Sequence, residues 1–157
     1  MAHIESVLDP DAQQVAGQAL QHTLVDLIDL SLVTKQAHWT VTGPRFRTLH
    51  QQLDEVVDTT RRHADTVAER AATIGVAPDG RAAAVAARST IPQWAPGWER
   101  DELVLEHFID AYTKLIAGLR ERITAVANAD PVTQDLLIAV TADLEKQLWE
   151  FQAEQQQ

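Results

Sequence analysis

The sequence predicts an all-α protein, a four-helix bundle whose second and third helices are joined by one long crossover. Glycine and proline number only six each, and the β-branched residues do not alternate with polar residues as they would in strands. Apolar residues instead recur at helical spacing in four long segments. Two helical hairpins of similar length with one long connection describe such a bundle.

The first predicted hairpin occupies the N-terminal half of the chain. Its first helix follows apolar residues from about residue 11 to residue 39 and meets no proline until Pro44. Its second helix begins after the Thr-Gly-Pro turn, because proline is well tolerated in a first turn. This helix ends at the break Ile-Gly-Val-Ala-Pro-Asp-Gly.

The second predicted hairpin follows a connection over residues 76–98, where prolines flank an alanine-rich centre that predicts one short helix. The third long helix carries apolar residues at helical spacing from Leu105 to Val126. The fourth begins after the pair Asp130-Pro131 and runs through Phe151, because aspartate favours the N-cap and proline the first turn.

Composition limits the class of protein. A chain of 157 residues fits one domain, residues 1–157, with short tails predicted at residues 1–10 and 154–157. The absence of cysteine removes disulfides, thiol catalysis and thiolate metal sites. No leader peptide is apparent, and no apolar run approaches the roughly 18 residues of a membrane helix, so we expect a soluble cytoplasmic protein. The formal charge of −10 repels nucleic acid and anionic membranes and attracts cations.

Histidine and acidic residues line one side of the second predicted helix. At about 100° per residue, His50, Asp54, Asp65 and Glu69 fall within a sector of roughly 100°. The apolar residues of this helix occupy a neighbouring sector, so the polar stripe is separate from the core face. Taken singly, each of these residues is more simply explained as a solvated surface group.

The spacing of two histidines changes that interpretation. His38 lies about as far before the Thr-Gly-Pro turn as His50 lies after it, so an antiparallel hairpin brings both imidazoles to a similar height. Asp54 could join them at one metal ion. Asp65 and Glu69 form a pair of carboxylates about 22 to 28 Å further along the helix, too far to close around the same ion in one chain. Two copies packed about a two-fold axis would instead form two mixed sites.

The types of ligand narrow the choice of metal. Imidazole and carboxylate groups without thiolates suit Fe(II), Zn or Mn. A partly open ligand shell favours redox chemistry at iron over a closed structural zinc site. The sequence therefore predicts a transition-metal site at a subunit interface, with iron favoured.

A long motif covers these same residues. The segment IDLSLVTKQAHWTVTGPRFRTLHQQLDE, followed by HADTVAERAATIG, resembles the signature of the Dps family, the miniferritins also known as DNA-binding proteins from starved cells. The pattern is K-x-x-H-W, a glycine before F-x-x-L-H-x-x-x-D, and then D-x-x-A-E-R, and the segment DPVTQDLLIAVTADLEKQLW is similar to the family's last helix. Standard ferritins are less similar, because they use Glu-x-x-His motifs within one subunit and this chain has no such motif.

The resemblance implies a ferritin-like four-helix subunit with a short helix in the crossover, assembled as a homododecameric shell. It implies ferroxidase sites at the two-fold interfaces, with His38, His50 and Asp54 from one subunit and Asp65 and Glu69 of the partner subunit as catalytic iron ligands. The implied activity is oxidation of Fe(II), preferentially by hydrogen peroxide, with ferric oxide stored in the cavity.

Two neighbours of His38 take secondary roles under this resemblance. Trp39 is a candidate electron donor, and a core or interface aromatic is the alternative. Lys35 either tunes the charge of the site or pairs with an acid, and we favour the pairing. The other histidines have no comparable set of partners and are interpreted as surface or packing residues: His3, His22, His63 and His107.

Acidic residues near the start of the family's last helix line pores through which iron enters. Asp130 and Asp135 are candidates for this role by position, and Asp143 is a weaker one. Asp130 has a second explanation as the N-cap of the last helix, and both roles can coexist.

Two other functions stay open at this point. One is a DNA-protecting structural protein of the nucleoid, and the other is a helical oligomer that binds metal without oxidising it. The residues before Lys35 and those after Lys146 contain neither lysine nor arginine, so neither end offers a basic arm and we expect no appreciable DNA binding. The exception would be a local patch built from arginines: Arg45, Arg47, Arg81 or Arg88.

Overall fold

A computed structural model describes residues 4–156 and shows a bundle of four long helices with a short helix in the crossover. Residues 1–3 and 157, with His3 among them, lie outside the described residues. The predicted all-α class, both hairpins and the crossover helix are confirmed. In chain order the elements are α1 (Pro10–Thr40), β1 (Val41–Thr42), α2 (Phe46–Thr73), α3 (Ala82–Arg88), β2 (Glu99–Arg100), α4 (Asp101–Val126) and α5 (Pro131–Gln155).

The core lies between the two hairpins, in which α1 packs mainly on α2 and α4 mainly on α5. Phe151 on α5 lies 5.4 Å from Phe108 and 5.6 Å from Tyr112, measured between ring centroids. The Tyr112 hydroxyl donates to Gln147 Oε1 at 2.8 Å, and burial raises the pKa of this phenol. The apolar stripe predicted for α2 is buried as expected: Leu49, Leu53, Val56, Val57, Ala64 and Val67.

A buried ion pair ties the crossover to both hairpins. Asp26 on α1 is fully buried, and its Oδ2 accepts a hydrogen bond from Arg122 Nη2 on α4 at 2.7 Å. Its Oδ1 accepts from the backbone N–H of Thr90 in the crossover at 2.8 Å. The charge of Asp26 is thus both paired and hydrogen-bonded, as a buried carboxylate must be.

Two features differ from the sequence-based expectation. Residues 41–42 and 99–100 pair as a short parallel bridge, in which Val41 lies opposite Glu99. A two-residue strand is too short to produce the alternating pattern that identifies strands. The last helix also continues to Gln155, so most of the tail predicted from residue 154 is helical in the described part of the chain.

Asp130 is the N-cap of α5, as predicted, and it is also half of an ion pair. Its carboxylate accepts from the backbone N–H groups of Val132 and Thr133 and from Arg70 Nη2 on α2, the last at 2.6 Å. Burial alone would raise the pKa of Asp130, but the hydrogen bonds from Arg70 and Thr133 outweigh it and hold the pKa below its usual range. Asp130 therefore fastens the start of α5 to the end of α2.

We expect Asp130→Ala to lower the free energy of unfolding by about 3 kcal/mol, because it removes a cap and leaves Arg70 without its carboxylate. The exposed N-cap variant Asp9→Ala should cost only about 1 kcal/mol and is the matched control. Because the pKa of Asp130 is lowered by folding, its contribution is present above about pH 4 and is lost as the pH falls through the folded value. Urea unfolding at neutral and acid pH measures both effects, and equal losses for the two variants would contradict the ion-pair contribution.

Candidate metal centre

His38 and His50 are brought together by the α1–α2 hairpin. His38 lies near the end of α1 and His50 in the second turn of α2, and their rings stack with centroids 3.6 Å apart at an interplanar angle of 20°. The expectation that the two imidazoles lie at the same height is confirmed. Their juxtaposition follows from the short connection of residues 41–45 between the two helices.

The two histidines hold each other through their backbones. His38 Nδ1 lies 2.7 Å from the carbonyl oxygen of His50, and His50 Nδ1 lies 2.9 Å from the carbonyl oxygen of His38. A carbonyl oxygen only accepts, so each Nδ1 carries a hydrogen, and in the neutral imidazole the lone pair is then on Nε2. Metal-binding histidines usually have this form: one ring nitrogen donates a hydrogen bond to a carbonyl, and the other is unprotonated and binds the metal.

Asp54 completes this end of the site, which we call the upper cluster: His38, His50 and Asp54. Its Oδ1 lies 3.5 Å from His38 Nδ1 and forms a hydrogen-bonded ion pair with Lys35 Nζ. The hydrogen bond from Lys35, helped by the charge of its ammonium group, lowers the pKa of Asp54 despite some desolvation. Asp54 is therefore ionised and paired with the ammonium group of Lys35. The predicted pairing of Lys35 with an acid is confirmed.

Asp65 and Glu69 form what we call the lower cluster. Both are exposed and lie on the same continuous helix as His50, so the separation of about 22 to 28 Å along the axis applies to the folded chain. Within residues 4–156 no group of three or more histidine, cysteine, aspartate or glutamate side chains is placed to hold a metal ion. The upper cluster alone does not form such a group, because Asp54 sits beside the protonated edge of His38 and against Lys35.

Two exposed aromatic residues neighbour the upper cluster, Trp39 in sequence and Phe46 in space. Trp39 is 60% exposed, which excludes the core alternative within one subunit. Phe46, the first residue of α2, is 45% exposed and lies 5.1 Å from the His50 ring. Sequence reasoning missed this contact, although the spacing of Phe46 four residues before His50 on one helix was a usable signal.

The candidates for an iron pore have different surroundings. Asp130 is only 2% exposed, with its carboxylate bound by Arg70 and Thr133, whereas Asp135 is exposed on α5. Asp143 is exposed as well and lies 2.9 Å from His63 Nε2 on α2. Of the two stronger candidates, only Asp135 presents an accessible carboxylate.

The remaining described histidines agree with surface and packing roles. His22 is exposed on α1, and His63 pairs with Asp143. His107 stands edge-on to Trp94 with ring centroids 4.8 Å apart, and burial lowers its pKa.

Replacing Lys35 with glutamine should tighten binding of a divalent cation at the upper cluster. The lysine occupies Asp54, and a partly exposed ion pair of this kind contributes up to about 1 kcal/mol, so its removal predicts up to about five-fold tighter Co(II) binding at neutral pH. Lys114→Gln, which removes an exposed ion pair with Asp110 on α4, is the matched control. Titration followed by visible absorption measures both, and weaker binding by Lys35→Gln would show that the lysine supports the site.

Comparisons with known proteins identify the family of this chain. The family model described as a ferritin-like domain matches residues 17–157. DNA protection during starvation protein 2 of Deinococcus radiodurans is 38% identical over 136 residues, which are 87% of this chain and 56% of that relative. The chain thus spans little more than half the length of this relative.

Other matches extend over nearly the full length of both proteins. The DNA protection during starvation protein of Agrobacterium fabrum is 32% identical, over 96% of this chain and 93% of the relative. A solved structure of Mycobacterium smegmatis Dps in a tetragonal form has a TM-score of 0.91 and 32% identity, covering 98% of this chain and 93% of that one. The chain belongs to the Dps family of ferritin-like proteins.

Proposed function

We propose that this protein oxidises Fe(II), preferentially with hydrogen peroxide, at sites shared between subunits and stores ferric oxide in a homododecameric cage. The proposal makes the broad role of the family, iron storage and DNA protection, specific for this chain. The reciprocal hydrogen bonds of His38 and His50 carry it, because they direct both Nδ1 atoms to carbonyl oxygens and leave both Nε2 atoms for a metal ion, with an ionised Asp54 on the same hairpin. Such donors suit Fe(II) as substrate.

The proposed site is completed by a second subunit. A single α2 carries the upper and lower clusters too far apart for one ion, but antiparallel packing of two α2 helices across a two-fold axis brings unlike clusters together. Exposure of Asp65, Glu69 and Trp39 in the subunit supports this arrangement, because such residues are free to meet a partner. The five proposed ligands are His38, His50 and Asp54 from one chain and Asp65 and Glu69 of the partner subunit.

The proposed reaction removes electrons from iron in pairs. Two Fe(II) ions each give one electron to one molecule of hydrogen peroxide, whose O–O bond breaks, and the oxygen atoms leave as water or in ferric oxide. No hydroxyl radical is released when both electrons are delivered together. The chain's residues hold the ions, and Trp39, adjacent in sequence to His38 and exposed, is a proposed electron donor when only one ion is present.

Iron also has to reach the cavity. Asp135 near the start of α5 is the proposed carboxylate of the pore, and the net charge of −10 per chain favours accumulation of cations around a shell.

The proposed location is the cytoplasm. None of the helices among the described residues is both long enough and apolar enough to cross a bilayer.

Binding of metal without oxidation is the alternative that ligand types cannot distinguish. Anaerobic loading with Fe(II) followed by peroxide separates the two, because only a working site gives rapid ferric absorbance.

Mixing two inactive variants tests the shared site directly. His38→Ala/His50→Ala removes the upper cluster and Asp65→Ala/Glu69→Ala the lower one, so each alone should assemble but lack rapid oxidation. Random pairing makes half of the dimers mixed with one intact site each, which predicts recovery of about a quarter of the wild-type initial rate. The rate is followed as ferric absorbance after peroxide is added to anaerobically loaded protein.

Controls for the mixture separate assembly from chemistry. Glu55→Ala removes an exposed acid of α2 outside both clusters and should keep full activity. Light scattering should give about twelve subunits for every variant. A co-assembled mixture of the expected mass that recovers no activity would refute the assignment of ligands to two chains.

DNA binding is the family role that the charges of this chain oppose. Duplex affinity depends on lysine and arginine contacts to phosphates. Of the arginines that could form a local patch, Arg45 lies near Asp101 and Glu154, and Arg81 pairs with Asp79 at 2.8 Å. The proposed function therefore excludes direct protection of DNA by binding.

The protein should not retard duplex DNA in a gel-shift titration at low salt without divalent metal, conditions that favour electrostatic association. A variant with a lysine-rich N-terminal extension is the matched control and should form a complex. A retarded complex of the unextended protein at sub-micromolar concentration would contradict this prediction, and its loss on substitution of Arg47 and Arg88 would locate the patch.

A further inference from the structure

We propose that Asp101, the first residue of α4, is a positioning residue that fixes the register of His38 and His50 through the turn between α1 and α2. It does not touch the site and acts on it through the backbone of residues 43–45. The inference rests on the proposed function only for its consequence in iron oxidation. The positioning itself is a statement about the geometry of the two imidazoles.

Asp101 is a fully buried carboxylate that accepts one hydrogen bond from the turn and one from its own helix. Its Oδ2 accepts from the backbone N–H of Arg45 at 2.8 Å, and its Oδ1 accepts from the backbone N–H of Glu102 at 3.0 Å. The guanidinium of Arg45 adds a contact at 3.7 Å. A buried carboxylate is costly unless it is bonded in this way, so these groups and Asp101 hold one another in place.

The turn is shaped to fit this side chain. Gly43 has a φ of +118°, a conformation that side chains rarely adopt, and a Cβ on it would lie 2.6 Å from Asp101 Oδ1. The glycine is thus required both by its backbone angle and by the approach of the carboxylate. On the other side of the turn, the backbone of Val41 pairs with that of Glu99.

The clamped turn determines how the histidines meet. The chain leaves α1 at Thr40 and enters α2 at Phe46, so His38 and His50 each lie within about one helical turn of the connection. Their two Nδ1-to-carbonyl bonds form only in one register of α1 against α2. A slip of one residue would move one histidine by about 1.5 Å along the axis and rotate it by about 100°.

Another buried aspartate of the same kind has no such connection and serves as a control. Asp26 is also fully buried, accepts a backbone N–H and pairs with an arginine, but it holds the crossover and α4 rather than the turn. If Asp101 were merely structural, substitutions at both positions would reduce stability and leave the affinity for metal unchanged. If Asp101 positions the histidines, only its own substitution changes the site.

Three variants of the assembled protein test the proposal: Asp101→Ala, Asp101→Asn and Asp26→Asn. For each we would measure Co(II) affinity by titration, the initial rate of Fe(II) oxidation, and thermal unfolding. We expect about ten-fold weaker Co(II) binding and a raised KM for Fe(II) in Asp101→Ala, as for loss of other groups that orient metal ligands. Asp101→Asn should be intermediate, because its amide oxygen still accepts from Arg45 but no second oxygen serves Glu102. Asp26→Asn should lose stability with unchanged Co(II) affinity.

Crystal structures of Asp101→Ala and Gly43→Ala give a readout that does not depend on activity. We expect the two imidazoles to lose their reciprocal bonds in both variants. A His38–His50 pair retained within about 0.5 Å of the wild-type geometry in Asp101→Ala would overturn the positioning role, whether or not the protein oxidises iron. Failure of the wild type to bind Co(II) or oxidise Fe(II) would instead overturn the proposed function.

Discussion

The reciprocal hydrogen bonds between the imidazoles of His38 and His50 and each other's backbone carbonyls are the interaction on which the candidate centre depends. They fix three things together: the tautomer of both rings, their stacking, and the register of α1 against α2. A single histidine bonded to a side chain would fix only its own tautomer. Because each ring bonds to the backbone of the other helix, the chemistry of the site and the packing of the hairpin are set by the same two bonds.

Lys35 shows how the site is kept stable without metal. Two histidines beside a carboxylate on the surface of a subunit would leave an ionised Asp54 without a partner. The ammonium group of Lys35 supplies that partner, and it also keeps the pKa of Asp54 low, so the carboxylate is already ionised when a cation arrives. An exchange of one cation for another needs no proton transfer at Asp54 and little desolvation, because the residue is partly exposed.

The helices and their limits could be predicted from the sequence because local signals agree with the final fold. Asp130 followed by Pro131 marks the start of α5, and Gly75 with its positive φ follows the end of α2. The stripe on α2 was also readable, since helical periodicity needs no tertiary information. The role of Asp101 could not be predicted, because no residue near it in sequence indicates that its carboxylate bonds to a turn 56 residues earlier. The partner of Lys35 among several nearby acids was equally a matter of tertiary packing.

The contrast between local sequence signals and packing between distant parts also explains why a complete site cannot be identified in one subunit. A helix places His50 and Glu69 on one side but at different heights, and no bending of a continuous α2 joins them. The aromatic core and the buried ion pairs of Asp26 and Asp130 are built from residues other than those of this stripe. The stripe is therefore free to carry exposed acids that add little to folding. In the proposed assembly, oxidation depends on association of subunits. The upper and lower clusters of one isolated subunit are too far apart to form a site together, and each needs the other cluster from a partner.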